Sequence, residues 1–117
     1  MDLVNKKCVP CEGGTPLLSA EEIKEYLAEL KADWEVFDPP ILKATARQVT
    51  KIKKEFKFKN FKEAMEFVNK VADIANKENH HPDISIHYNK VEILLWTHKI
   101  GGLSENDFIM ASKIDNL

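Results

Sequence analysis

Residues 79–98 read NHHPDISIHYNKVEILLWTH, and this stretch decides the fold class. Pro82 disfavours helical geometry at His81, so the amphipathic helix upstream has to end near that point. Beyond it, Asp83 to Tyr88 and Val91 to His98 have the residue content of two strands, and Asn89-Lys90 between them suits a hairpin turn. A hairpin of this length returns the end of its second strand to the start of its first. His98 is therefore expected within about one or two residues of the His80-His81 turn.

Upstream, Asn60 and Glu63 form a helix-capping pair, and Phe61, Ala64, Met65, Val68, Val71, Ala72 and Ala75 recur at helical spacing to about Asn76. Phe61, Met65 and Phe67 are expected in the core. Before that helix, Ile41 to Phe58 reads as strand, with Ile52, Phe56 and Phe58 on one side and Lys53, Glu55 and Lys57 on the other. Trp34, Val36 and Phe37 suggest a short strand that Asp38-Pro39-Pro40 terminates. Ser19 and Glu22 form a capping box for a first helix over about residues 20–31, with Ile23, Tyr26, Leu27 and Leu30 as its apolar stripe. Downstream, Gly101-Gly102 stops the second hairpin strand, and Ser104 with Asp107 caps a last helix carrying Phe108, Ala111 and Ile114.

The order is helix, strand, strand, helix, strand, strand, helix. It lacks the strand–helix alternation of a doubly wound parallel sheet. It predicts an α+β sandwich, a four-stranded antiparallel sheet with three helices packed on one face.

The chain has 117 residues, 44% of them hydrophobic, enough for one compact domain with a modest core. Its 17 basic and 19 acidic side chains give a formal charge of -2 and are interleaved, so direct nucleic-acid binding is disfavoured. The exception, Lys51-Ile52-Lys53-Lys54, reads as the solvated face of a strand. No apolar run approaches the ~20 residues of a membrane span, and Met1 to Lys6 lacks the plan of a secretory signal. A cytoplasmic location is expected.

Cys8-Val9-Pro10-Cys11 stands among turn formers, with Gly13 and Gly14 following. A zinc site needs a second ligand pair, and a thioredoxin-like site needs the motif to open a helix after a strand; neither context is present. Residues 1–18 are read as a reduced, non-catalytic N-terminal extension and residues 19–117 as the domain.

Three of the chain's four histidines, His80, His81 and His98, are expected around one small pocket. Imidazole donates and accepts protons near neutral pH, so the cluster suits general acid–base chemistry. Other readings stand beside this one: a polar cap for the helix C-terminus at His80-His81, a structural His98, and a three-histidine metal site. Against the metal, adjacent His80 and His81 do not easily point at one ion, and no nearby carboxylate completes an obvious site. Asp107 is placed to orient a histidine or simply to complete the capping box, two roles in competition for one side chain. His87, alone in mid-strand, is read as structural.

Asn79-His80-His81-Pro82, Tyr88-Asn89-Lys90-Val91, Thr97-His98 and Gly102-Leu103-Ser104-Glu105-Asn106-Asp107, in this order and spacing, closely resemble the pterin-4a-carbinolamine dehydratase family. Phe56-Lys57-Phe58-Lys59-Asn60-Phe61 and Trp34 extend the likeness to about residues 19–115. The segment from Cys8 to Gly14 looks like an extension found on bacterial members. The resemblance implies dehydration of a 4a-hydroxytetrahydropterin to the quinonoid dihydropterin, in recycling of tetrahydrobiopterin after an aromatic amino acid hydroxylase has used it. It implies no metal or organic cofactor, and assembly as a homodimer or homotetramer.

By motif position, His80, His81 and His98 take the acid, base and pterin-binding roles. His80 and His98 are the expected proton-transfer pair, and His81 helps orient the pterin. Asp107 matches the family's acidic position, and Trp34 matches a pocket-edge aromatic whose other reading is core packing. One departure stands out: the family's acid four residues before the first histidine is Asn76 here, and Glu78 is out of register. An amide cannot lose a proton or raise histidine basicity by charge, so slower turnover or an altered substrate is expected. Competing functions are a non-enzymatic dimerisation scaffold, since some animal relatives stabilise a homeodomain transcription factor dimer, and action on another pterin such as a molybdenum-cofactor precursor.

Overall fold

The computed structural model describes residues 2–9, 16–31, 33–37 and 50–117. The Asp38-Pro39-Pro40 terminator, the part of the expected Ile41 to Phe58 strand that covers residues 41–49, and Pro10, Cys11, Gly13 and Gly14 lie outside the described residues. Three α-helices and one four-stranded antiparallel sheet build the α+β fold expected from the sequence, with the helices on one face.

Strands β1 (Glu35–Phe37), β2 (Lys51–Lys57), β3 (Asp83–His87) and β4 (Lys90–Leu95) are ordered β1-β2-β4-β3 across the sheet. The period-two pattern sets the register: Ile52 faces Leu95 and Phe56 faces Val91, which keeps these four apolar side chains of the central strands on the helix side. Ile52, Val91, Ile93 and Leu95 are completely buried there.

Helix α2 (Phe61–Glu78) starts at Asn60, whose side chain accepts from the Glu63 N–H, and lays Ala64, Val71 and Ala75 on the sheet. Phe61, expected in the core, is 49% exposed and stacks on Tyr88 instead. As the first helical residue it precedes the turn at which the stripe meets the sheet. Phe56, Phe58 and Phe67 form a continuous aromatic cluster beneath the helix.

Helix α1 (Ala20–Ala28) carries the predicted Ser19–Glu22 capping box but ends before residue 31. Its last turn tightens to i→i−3 bonds from Glu29 to Tyr26 and from Leu30 to Leu27, which exhausts the helical ladder early. Helix α3 (Glu105–Asp115) is buried almost all round, from Asn106 to Ser112 and at Ile114, rather than along the predicted single stripe. The N-terminal segment explains the difference. It packs Leu3 into the core, its Val4 carbonyl accepts from Lys113 Nζ, and the backbone of Val9 exchanges two hydrogen bonds with the Asn106 amide.

The hairpin turn falls one residue earlier than the sequence suggested. His87 pairs with Lys90, leaving Tyr88 and Asn89 as the loop, with Tyr88 in the left-handed region at φ 55°. Asn89 is occupied elsewhere: its Nδ2 donates to the Phe58 carbonyl while its own carbonyl accepts from Phe58 N–H, tying the hairpin to the end of β2.

Candidate active site

The site begins where α2 stops. Asn79 adopts the left-handed conformation (φ 53°, ψ 40°), and its N–H and that of His80 both return to the Ala75 carbonyl. Asparagine tolerates this geometry better than most residues, and the reversal turns His80 inward beneath the helix end. Pro82 then commits the chain to β3.

His80 Nε2 lies 2.7 Å from Asp107 Oδ1, with the histidine side chain 10% exposed and the carboxylate 0%. Asp107 Oδ2 accepts from the Ser104 N–H at 2.9 Å and from Thr97 Oγ1 at 2.8 Å. The two roles read for Asp107 do not compete, because each oxygen serves one of them. Since an ionised carboxylate only accepts, Nε2 carries the proton of the His80 bond and Nδ1 is left for other chemistry. Three segments distant in sequence, the end of α2, the exit of β4 and the start of α3, are joined at this one buried group.

His81 turns the other way and is exposed, with Nε2 donating to Asn76 Oδ1 at 3.1 Å. His98 does not end a strand as expected. β4 finishes at Leu95, Thr97 pairs with Gly102 as an isolated bridge, and His98 occupies the tight turn between them, where Gly101 takes φ 65°. The β3–β4 register, with Asp83 opposite Leu94, carries forward to bring His80 alongside Thr97, the residue before His98. The exposed His98 ring stacks on Trp96, with centroids 3.8 Å apart and planes 24° apart. Trp96 Nε1 donates to Asp83 Oδ2 at 3.3 Å, and Lys51 Nζ lies over the indole, 4.6 Å from its centroid.

Trp34 is not brought to the histidines. It is 8% exposed, packs edge-on against Phe56, and donates through Nε1 to Asp115 Oδ2 at 2.9 Å. Asp115 also receives Lys54 Nζ at 2.8 Å. This anchor is at the far end of α3, about 12 Å along the helix from Asp107 at the usual rise per residue. His87 is exposed beside the hairpin turn, at the opposite end of β3 from the site.

The sequence reading assigned no role to Trp96 or Asp83, gave Ser104 only the helix cap, and gave Thr97 only a place in the family motif. An aromatic two residues before His98, at an outward position just past β4, was the available signal for the first of these.

Two further features border the site. Cys8 N–H donates to Glu78 Oε1 at 3.0 Å, so the N-terminal segment closes against the last turn of α2. Tyr26 Oη donates to Glu105 Oε2 at 2.6 Å, clamping α1 to the start of α3. That hydrogen bond, burial and the Glu105 charge push the Tyr26 hydroxyl up to about 12. A separate cavity of about 260 Å³, lined by Asp33, Glu35, Lys53, Lys54, Glu55 and Glu92, lies by β1, β2 and β4 and involves none of the histidines. Among the described residues, no helix is long and apolar enough to cross a membrane, and no group of three or more His, Cys, Asp or Glu side chains is placed to hold a metal ion.

Fold and site together define a small α+β protein with a carboxylate-oriented histidine where a helix, a hairpin and a second helix meet. Residues 16–117 match the family model described as pterin 4 alpha carbinolamine dehydratase, and the chain belongs to that family. It is 47% identical over 114 residues to a protein of Alkaliphilus metalliredigens named "Putative pterin-4-alpha-carbinolamine dehydratase", covering 97% of this chain and 94% of that one. A protein of the same name in Rubrobacter xylanophilus is 45% identical over 116 residues, covering 99% and 98% of the two chains. The crystal structure of a transcriptional coactivator/pterin dehydratase from Brucella melitensis superposes with a TM-score of 0.71 at 34% identity, covering 86% of this chain and 97% of that one.

Proposed function

We propose that this protein dehydrates 4a-hydroxytetrahydropterin to the quinonoid dihydropterin by histidine acid–base catalysis. The observation that carries the reading is the buried His80–Asp107 pair, 2.7 Å long, next to the turn that bears His98. Departure of the C4a hydroxyl requires a proton at that oxygen, and restoring ring conjugation requires loss of a ring-nitrogen proton. One proton is given and one taken, so two imidazoles close the cycle with no net proton change.

Asp107 fixes the His80 tautomer and ring plane, so Nδ1 is the atom offered to substrate. His98 is the second proton-transfer group. His81, held by Asn76, binds and orients the pterin. In this reading the substrate comes from an aromatic amino acid hydroxylase in tetrahydrobiopterin recycling, and the chain works as a homodimer or homotetramer. Family membership supports the reaction, and the separate settings of His80 and His98 support two different proton tasks.

The test is the rate at which enzymatically generated 4a-hydroxytetrahydropterin dehydrates, followed by ultraviolet absorbance with wild-type protein and with the His80→Ala, His98→Ala double variant. Acceleration by the wild type and its loss in a folded double variant are expected. Equal acceleration by both would remove the histidines from the mechanism, and no acceleration by the folded wild type would refute the substrate.

A further inference from the structure

We infer that Trp96 is a positioning residue for His98, holding the imidazole plane by stacking and referring it to the sheet through Asp83 and Lys51. The inference rests on the proton-transfer role proposed for His98. That histidine is exposed and sits in a four-residue turn between Thr97 and Gly102, a setting that by itself leaves the ring free to change rotamer. Proton transfer needs a fixed donor–acceptor geometry, so something must restrain the ring.

Trp96 supplies that restraint. Alternation carried past the end of β4 buries Leu95 and Thr97 on the helix side and sends Trp96 to the opposite face, where its indole stacks on the His98 ring with centroids 3.8 Å and planes 24° apart. The indole is fixed in turn from both neighbouring strands. On β3, Asp83 is paired with Leu94, one diagonal step from Trp96, and accepts its Nε1–H at 3.3 Å. On β2, Ile52 is paired with Leu95, which brings Lys51 beside Trp96 and its ammonium over the ring at 4.6 Å. Three strands therefore set the orientation of a side chain that the turn alone would leave loose. Among the described residues, Lys51 and Asp83 are charged groups in contact with this indole.

The contact predicts a split in kinetics and a spectroscopic signature. Trp96→Leu removes the stack and is expected to lower kcat about tenfold while KM stays within about twofold. Trp96→Phe keeps an aromatic face and is expected to recover most of kcat, which a mere volume requirement met by leucine would not produce. The chain has two tryptophans, so the emission of Trp96 is the difference between wild type and Trp96→Phe. That emission is expected to change in His98→Ala, which removes the ring stacked on the indole.

A raised KM with unchanged kcat in Trp96→Leu would overturn the inference and make the indole a substrate shelf. Emission of Trp96 that is the same in His98→Ala as in the wild type would overturn it as well. His98→Ala is assayed in parallel. If that variant turns over like the wild type, the role of His98 falls and the inference with it; if it is inactive while Trp96→Leu is unaffected, the inference alone falls.

Discussion

Replacing Asp107 by asparagine changes one oxygen of the site into an amide and should separate folding from catalysis. The carboxylate makes three hydrogen bonds: Oδ1 to His80 Nε2 at 2.7 Å, and Oδ2 from Ser104 N–H and Thr97 Oγ1 at 2.9 and 2.8 Å. Asparagine has a single acceptor oxygen. If that oxygen keeps the Ser104 and Thr97 bonds, the amide NH₂ faces His80 Nε2, which must then accept, so the imidazole proton moves to Nδ1. The opposite amide rotamer would set NH₂ against the Ser104 N–H in a fully buried position, at about 1–3 kcal/mol, and is disfavoured. A charge-assisted bond is thereby exchanged for a neutral one, a loss of about 1–2 kcal/mol, or about 4–8 °C in Tm for a domain of this size. Catalysis should suffer far more, because the nitrogen offered to substrate now has the wrong protonation. A fall in kcat of about 10²–10⁴ is expected. Parallel thermal melts and absorbance-monitored dehydration rates test this. A kcat within about threefold of wild type in a cooperatively folded Asp107→Asn protein would refute the tautomer argument.

Asn76→Asp replaces the amide that holds His81 with a carboxylate and is expected to raise kcat/KM by about two- to fivefold, a modest gain because the pair is exposed to solvent; initial rates measure it. Tyr26, whose hydroxyl is pushed up from 10.0 to about 12, favours its protonated form in the folded state. Its contribution to stability is present below pH 10 and disappears as pH rises through about 12; the urea-unfolding free energy of wild type minus Tyr26→Phe should therefore decline across that window. Leu3→Ala empties a 3% exposed position between the N-terminal segment and α3, and is expected to cost about 2–3 kcal/mol, read as a fall in Tm of about 8–12 °C.

Helix α3 shows how one element divides its work. Its two inward-facing aspartates, Asp107 and Asp115, each gather partners from distant segments. Asp115 collects Trp34, Lys54 and the backbone N–H of Lys31, which joins β1, β2 and the end of α1 to the helix. Asp107 collects His80, Thr97 and Ser104. Both are buried polar hubs that an apolar side chain could not replace without leaving donors unpaired, but only the Asp107 hub contains an imidazole. This separation is why Trp34 serves packing at one end while the histidines serve the other.

The α+β class followed from patterns that act over a few residues: the Ser19–Glu22, Asn60–Glu63 and Ser104–Asp107 caps, the helical stripe of α2, the period-two alternation of β2, and Pro82 as a helix stop. Each is enforced by local backbone sterics and local hydrogen bonding, so each is legible without knowing the rest of the chain. The pairing of Asp107 with a histidine was also foreseeable, since the hairpin and the α3 cap bring their ends together. The tertiary structure alone decided which histidine it would be, that one carboxylate would serve both cap and imidazole, and that Trp34 would turn to Asp115. It also decided that residues from the far N-terminus would add to the burial of α3, and that Trp96 would meet His98 beneath Lys51. Those outcomes depend on which long-range partners compete successfully for a limited number of buried hydrogen-bonding and stacking positions, and no local pattern in the chain encodes the result of that competition.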